Sequence, residues 1–98
     1  MIEVTVTVDF GPADKPRVEQ IVTIADKSTV LDALTAVLPV LTVPKYGMDH
    51  FTEAIDGVKN DLGQDFGWHF EVNGYRANVP AERYLLKNGD WIRWLYIG

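Results

Sequence analysis

The sequence predicts a small α+β domain, a mixed sheet of four to five strands packed on one helix in the order β-β-α-β-β-β. Three observations carry that expectation. Residues 2–10 and 17–24 alternate between apolar and polar side chains, the period of a half-buried strand. A single stripe of apolar residues at helical spacing follows between residues 29 and 38. The last third returns to alternation, with tight-turn dipeptides at Asn73-Gly74 and Asn88-Gly89. With 98 residues, 47% of them hydrophobic, the chain suits one domain over residues 1–98 that builds its own core.

In the first strand Ile2, Val4, Val6, Val8 and Phe10 share one face, and Glu3, Thr5, Thr7 and Asp9 the other. Gly11, Pro12 and Pro16 break the run as a turn. In the second strand Val18, Val22 and Ile24 oppose Arg17, Glu19 and Thr23, while Gln20 and Ile21 each fall on the unexpected face. The pair reads as an antiparallel hairpin.

Thr29 and Asp32 then fit a capping box. Val30, Leu31, Leu34, Val37 and Leu38 form the stripe behind it, and Pro39 stops the helix near Leu38. Residues 39–50 read as an irregular connection, because Pro39, Pro44 and Gly47 interrupt them. Phe51 to Val58 is read as a short strand, on the strength of β-branched Ile55 and the Asp56-Gly57 turn signal. Residues 60–67 are loop-like. Trp68, Phe70 and Val72 alternate with His69 and Glu71, and Tyr75-Arg76-Ala77 starts the return from Asn73-Gly74. Trp91 to Ile97 is the last strand, with Ile92, Trp94 and Tyr96 on one face. An opening hairpin, a helix and a final strand brought beside the first make the β-grasp pattern.

Composition narrows the function. The formal net charge is −5, and the nine Lys and Arg residues are scattered. No stretch has the basic density that phosphate backbones or anionic lipid require, so nucleic acid and membrane are not expected partners. The absence of Cys excludes disulfides and thiolate chemistry. Met1 runs straight into Ile2-Glu3-Val4-Thr5 with no basic leader. A complete chain would therefore be cytoplasmic, and an excised domain would leave an extracellular origin open.

Catalytic constellations are not visible, and a non-enzymatic role is expected. Ser28 is the only serine, and its place at the helix start accounts for it. His50 and His69 with Asp49 or Asp65 match no metal-ligand spacing, so no metal site is assigned. Gly57, Gly63 and Gly67 are too widely spaced for a phosphate loop. Aromatic residues are the stronger signal. Trp68, Phe70, Trp94 and Tyr96 follow the strand period and belong to the core. Tyr46, Phe66, Tyr75, Tyr84 and Trp91 lie in or beside loops, where they either contact a ligand or plug the ends of a small core. The candidate contact residues are Tyr46, Phe66, His69, Tyr75 and Trp91, with His69 expected to be solvated on the face opposite Trp68.

Several short motifs, in order, resemble the transcobalamin-like C-terminal domain family. They are Val4-Thr5-Val6-Thr7-Val8, Ser28-Thr29-Val30-Leu31-Asp32-Ala33-Leu34, Ile55-Asp56-Gly57-Val58, Trp68-His69-Phe70-Glu71-Val72-Asn73-Gly74 and Asn88-Gly89-Asp90-Trp91-Ile92-Arg93-Trp94. The resemblance implies a β-grasp fold without catalysis, in a soluble-ligand-binding group. In the vitamin B12 carriers such a domain covers one side of the corrin while a larger helical domain holds the other. It thus implies a binding module for a flat small molecule, with cobalamin as a cofactor suggested by resemblance only. The alternative is a free-standing acidic protein-interaction module that uses its loops or a sheet edge. The ending Tyr96-Ile97-Gly98 lacks the Gly-Gly tail of a sulfur carrier or protein modifier.

Overall fold

The computed structural model describes residues 1–98. Strand β1 (Ile2–Asp9) leads through a 3₁₀ turn (Gly11–Ala13) into β2 (Val18–Ile24), and helix α1 covers Val30–Thr35. Five further strands follow before the last: β3 (Val40–Lys45), β4 (Met48–Ile55), β5 (Val58–Lys59), β6 (Gly67–Val72) and β7 (Tyr75–Arg76). Strand β8 (Trp91–Ile97) closes the chain. They make a mixed α+β architecture of two sheets, one of five strands in the order β2-β1-β8-β6-β7 and one of three in the order β3-β4-β5.

The larger sheet is organised around β1 and β8, which run parallel with Val6 opposite Ile92 and Val8 opposite Trp94. All its other pairings are antiparallel. Alternation puts Val4, Val6, Val8 and Phe10 on the inner face of β1, each at 1% exposure or less, and Ile92, Trp94 and Tyr96 beside them on β8. Helix α1 closes this face with Val30, Ala33 and Leu34, all fully buried. Its start is fixed by the capping box: Asp32 N–H donates to Thr29 Oγ1 at 3.1 Å, and Thr29 N–H donates to the Asp32 carboxylate at 2.8 Å. Ser28 has a different task, donating its hydroxyl to Ala25 O at 2.7 Å.

The regular helix ends earlier than the apolar stripe suggests. Val37 N–H and Leu38 N–H both donate to Leu34 O, at 3.0 and 3.1 Å, so the last turn tightens before Pro39. Within residues 39–50, expected as an irregular connection, Val40–Lys45 form β3 and Met48 starts β4. Pro44 is tolerated there because β3 is an outer strand whose register shifts between Val43 and Lys45. The turn joining these strands is Tyr46-Gly47, with φ of +55° and +76°. Asp56-Gly57 and Asn73-Gly74 turn their hairpins the same way, also with positive φ at both residues.

The smaller sheet is tied to the larger by partly buried polar contacts as well as by apolar packing of Ile55 in the shared core. Trp68 Nε1 donates to Val58 O at 2.8 Å, and Tyr96 Oη donates to Lys59 O at 2.7 Å. Asn60 bridges them, donating to Thr52 O at 3.1 Å and accepting from Trp68 N–H at 2.8 Å. At the far end Lys15 Nζ lies 2.8 Å from Asp56 Oδ2. No helix is long and apolar enough to cross a membrane.

Candidate functional site

The joint between the two sheets leaves a groove of about 390 Å³. One wall is the β3–β4 hairpin, which contributes Tyr46 and Phe51; the other is the 60–66 loop and the start of β6, with Leu62, Phe66, Trp68 and His69. The left-handed φ of Tyr46 at its turn lifts the ring outward, leaving it 66% exposed. The ring packs edge-on against Phe51 at 5.1 Å, and Lys45 Nζ stands 5.2 Å above it. These contacts hold an exposed aromatic ring in one orientation.

Phe66 is positioned by its own loop. Asp61 and Phe66 exchange both backbone hydrogen bonds, at 2.9 and 3.0 Å, closing the loop on itself. The Phe66 ring then stacks on Tyr96 at 5.7 Å with 20° between the planes. A second depression of about 400 Å³ lies where Phe66 and Asn60 meet Pro12, Gln64 and Tyr96. It has no imidazole. Burial and the nearby Asp61 carboxylate push the Tyr96 phenol above its usual pKa of 10.0.

His69 is half-buried rather than solvated. Its strand position places Nδ1 3.4 Å from Arg76 Nη1 on β7. Burial and the Arg76 charge lower its pKa below the usual 6.5, so the ring is neutral at pH 7. With Nδ1 turned to a guanidinium, which only donates, the ring proton resides on Nε2. The groove therefore combines four aromatic rings and a neutral imidazole with the charged side chains of Lys45, Glu53 and Asp65. Its volume lies in the range of small-molecule sites.

Of the five residues that the sequence singles out, Tyr46, Phe66 and His69 meet here. Tyr75 stands 79% exposed on β7, away from the groove. Trp91 is a strand residue on the outer face of the larger sheet, where its Nε1 donates to Thr7 Oγ1 at 2.9 Å and roofs the fully buried Thr7. Sequence reasoning missed Lys45 and Phe51 as wall residues, because Lys45 lies in the segment read as a connection and Phe51 at the start of a strand whose partner in that segment went unrecognised. Leu62 carried a usable signal, an apolar residue in a polar loop, and is 74% exposed. No group of three or more His, Cys, Asp or Glu side chains is gathered in the fold.

Residues 27–98 match the family described as a domain of unknown function, DUF4430, and the chain belongs to that family. Among solved structures it is similar over 100% of its length to a candidate metal binding protein from Ruminococcus gnavus, with a TM-score of 0.76, 19% identity and 99% of that chain covered. It is also similar over 99% of its length to haptocorrin in complex with Cbi, with a TM-score of 0.79 and 16% identity. The chain spans 25% of that haptocorrin chain. No curated protein matches it. At these identities the likeness is one of fold.

Proposed function

We propose that this chain is a non-enzymatic binding module whose groove between the two sheets receives a flat small molecule. The observation that carries the reading is the convergence of Tyr46, Phe66 and His69 on one groove of about 390 Å³ that holds four aromatic rings. The fold reading that accompanies it is β-grasp, with the transcobalamin-like domains as the wider group. A corrinoid is the first ligand to test, because the similar haptocorrin structure is a complex with Cbi.

The experiment is thermal unfolding with and without cobinamide, haem and divalent metals, followed by Trp fluorescence, since Trp68 lines the groove. A true ligand at about 100 times its dissociation constant adds about 2.7 kcal/mol of stability. Tyr46→Ala and His69→Ala should each weaken that ligand about tenfold while leaving the unliganded melting temperature within a few degrees. Absence of any shift across the panel would count against the groove as a small-molecule site. One observation favours the second reading, an interaction module using a sheet edge: β2 is an outer strand whose Ile21 is 63% exposed. In that case Ile21→Lys, and not Tyr46→Ala, removes partner binding.

A further inference from the structure

Of the four strands that form the sheet edges, three are blunted against further pairing. Strands β5 and β7 are two residues long, and β3 carries Pro44 and two register shifts. Short strands, proline and irregular register are the usual protections of an edge. Strand β2 has none of them. Its seven residues pair with β1 in one unbroken register, from Ile2 opposite Ile24 to Val8 opposite Val18. It holds no Lys and no Pro, and Glu19 is its one charged side chain. Its outward row of backbone N–H and C=O groups therefore stands open along a regular strand.

The side chains along this edge are self-complementary. Ile21 is the midpoint of β2 and is 63% exposed. Two copies of β2 placed antiparallel about a twofold axis at Ile21 match along their whole length. Ile21 then meets the second copy's Ile21, Glu19 meets Thr23, Gln20 meets Val22 and Val18 meets Ile24. No like charges face one another, and Glu19 is already paired with Arg17 of its own chain at 3.2 Å. The neighbouring registers are worse. Moving the axis to Val22 sets Val18 against Asp26, and moving it to Gln20 sets Ile24 against Pro16, which has no N–H. Parallel pairing in register would set Glu19 against Glu19, a destabilising contact. Ile21 also lies opposite Thr5 on β1, and Thr5 opposite Trp91 on β8, so a row of partly exposed side chains ends at this edge. Antiparallel pairing joins the rows of the two copies through their Ile21 side chains.

We infer that β2 is a homodimer interface, pairing antiparallel with β2 of a second copy of this chain about a twofold axis at Ile21. A second copy in this place rests on the sheet-edge reading above and is independent of the groove, none of whose residues lies on β2. Each chain carries a formal charge of −5. The two copies therefore repel at long range, and the dimer tightens as salt screens that repulsion. A basic strand as the occupant would show the opposite salt dependence.

The test is sedimentation of the full chain from roughly 1 µM to 1 mM, the range of weak association, with amide hydrogen exchange at both ends of that range. The expected result is a reversible monomer–dimer equilibrium that strengthens with salt, with exchange in β2 slowing as concentration rises. Ile21→Lys sets like charges face to face at the axis and should weaken association at least about tenfold. It should leave the fold intact, because the side chain is exposed. Ile21→Glu should behave the same way alone. An equal mixture of the two variants should dimerise again, since opposite charges then meet at the axis. A chain that stays monomeric throughout the range would overturn the proposal. So would a dimer that Ile21→Lys leaves intact, or a mixture of the two variants that fails to pair. A monomer that instead takes up an unrelated strand peptide at β2 would overturn the second copy and keep the sheet-edge reading. Tyr46→Ala, which tests the groove, should leave dimerisation unchanged.

Discussion

Gly11 is the residue whose identity the fold constrains most tightly. Its φ is +52°, and a Cβ built there would collide with the carbonyl oxygen of Tyr96 on the last strand. Gly11→Ala therefore meets both a left-handed backbone and a backbone clash, and should cost about 2 kcal/mol or more in urea unfolding. His69 gives a residue-scale prediction in pH. Its folded pKa lies below 6.5, so the unfolded chain binds the extra proton more readily. Stability from this residue is complete above pH 6.5 and declines as pH falls below that value. His69→Gln should flatten that decline, measured as the midpoint of unfolding against pH. Neither effect was legible beforehand. The clash at Gly11 depends on a strand some 85 residues away in the sequence, and the His69 shift depends first on burial in the folded sheet and then on Arg76 across the hairpin.

Elements were legible where local chemistry decides them. The capping box at Thr29 and Asp32 is present as the sequence indicates, and Thr29→Ala should cost about 1 kcal/mol by thermal melting. The three two-residue hairpins show where such reading stops. Asp56-Gly57 and Asn73-Gly74 announce themselves, because Asp and Asn accept positive φ readily. Tyr46-Gly47 adopts the same backbone with a tyrosine in the first position, and no propensity rule points to it. That one turn, together with Pro44 at a register shift, concealed a hairpin and with it half of the groove wall. Phe66 and Tyr46 could be singled out as loop aromatics, but not the fact that they line one groove.

At the scale of the molecule, one core holds the helix and both sheets together, the smaller sheet contributing fully buried Ile55 with Val40 and Val58 beside it, and polar ties from Lys15, Asn60, Trp68 and Tyr96 add to that packing. Leu34 lies at 0% exposure within that core. Leu34→Asp would bury an unpaired carboxylate, and its cost of about 4 kcal/mol or more is a large part of the 5–15 kcal/mol typical of a domain. The variant should be largely unfolded by circular dichroism at 25 °C, and near-normal stability would show that the helix buries another face.

The parallel contact between β1 and β8 has a consequence for how the chain comes into being. The first strand made and the last strand made lie side by side in the middle of the five-stranded sheet. While the ribosome is still adding residues, β1 has only β2 for a strand neighbour, β6 has only β7, and no backbone pairing joins the two pairs. Isolated hairpins of this kind are marginal in water. The domain therefore acquires its core only once residues 91–97 have left the exit tunnel, in a single late step. A nascent chain stalled before Trp91 should be cut readily by protease, and one extended by an unstructured linker past Gly98 should resist.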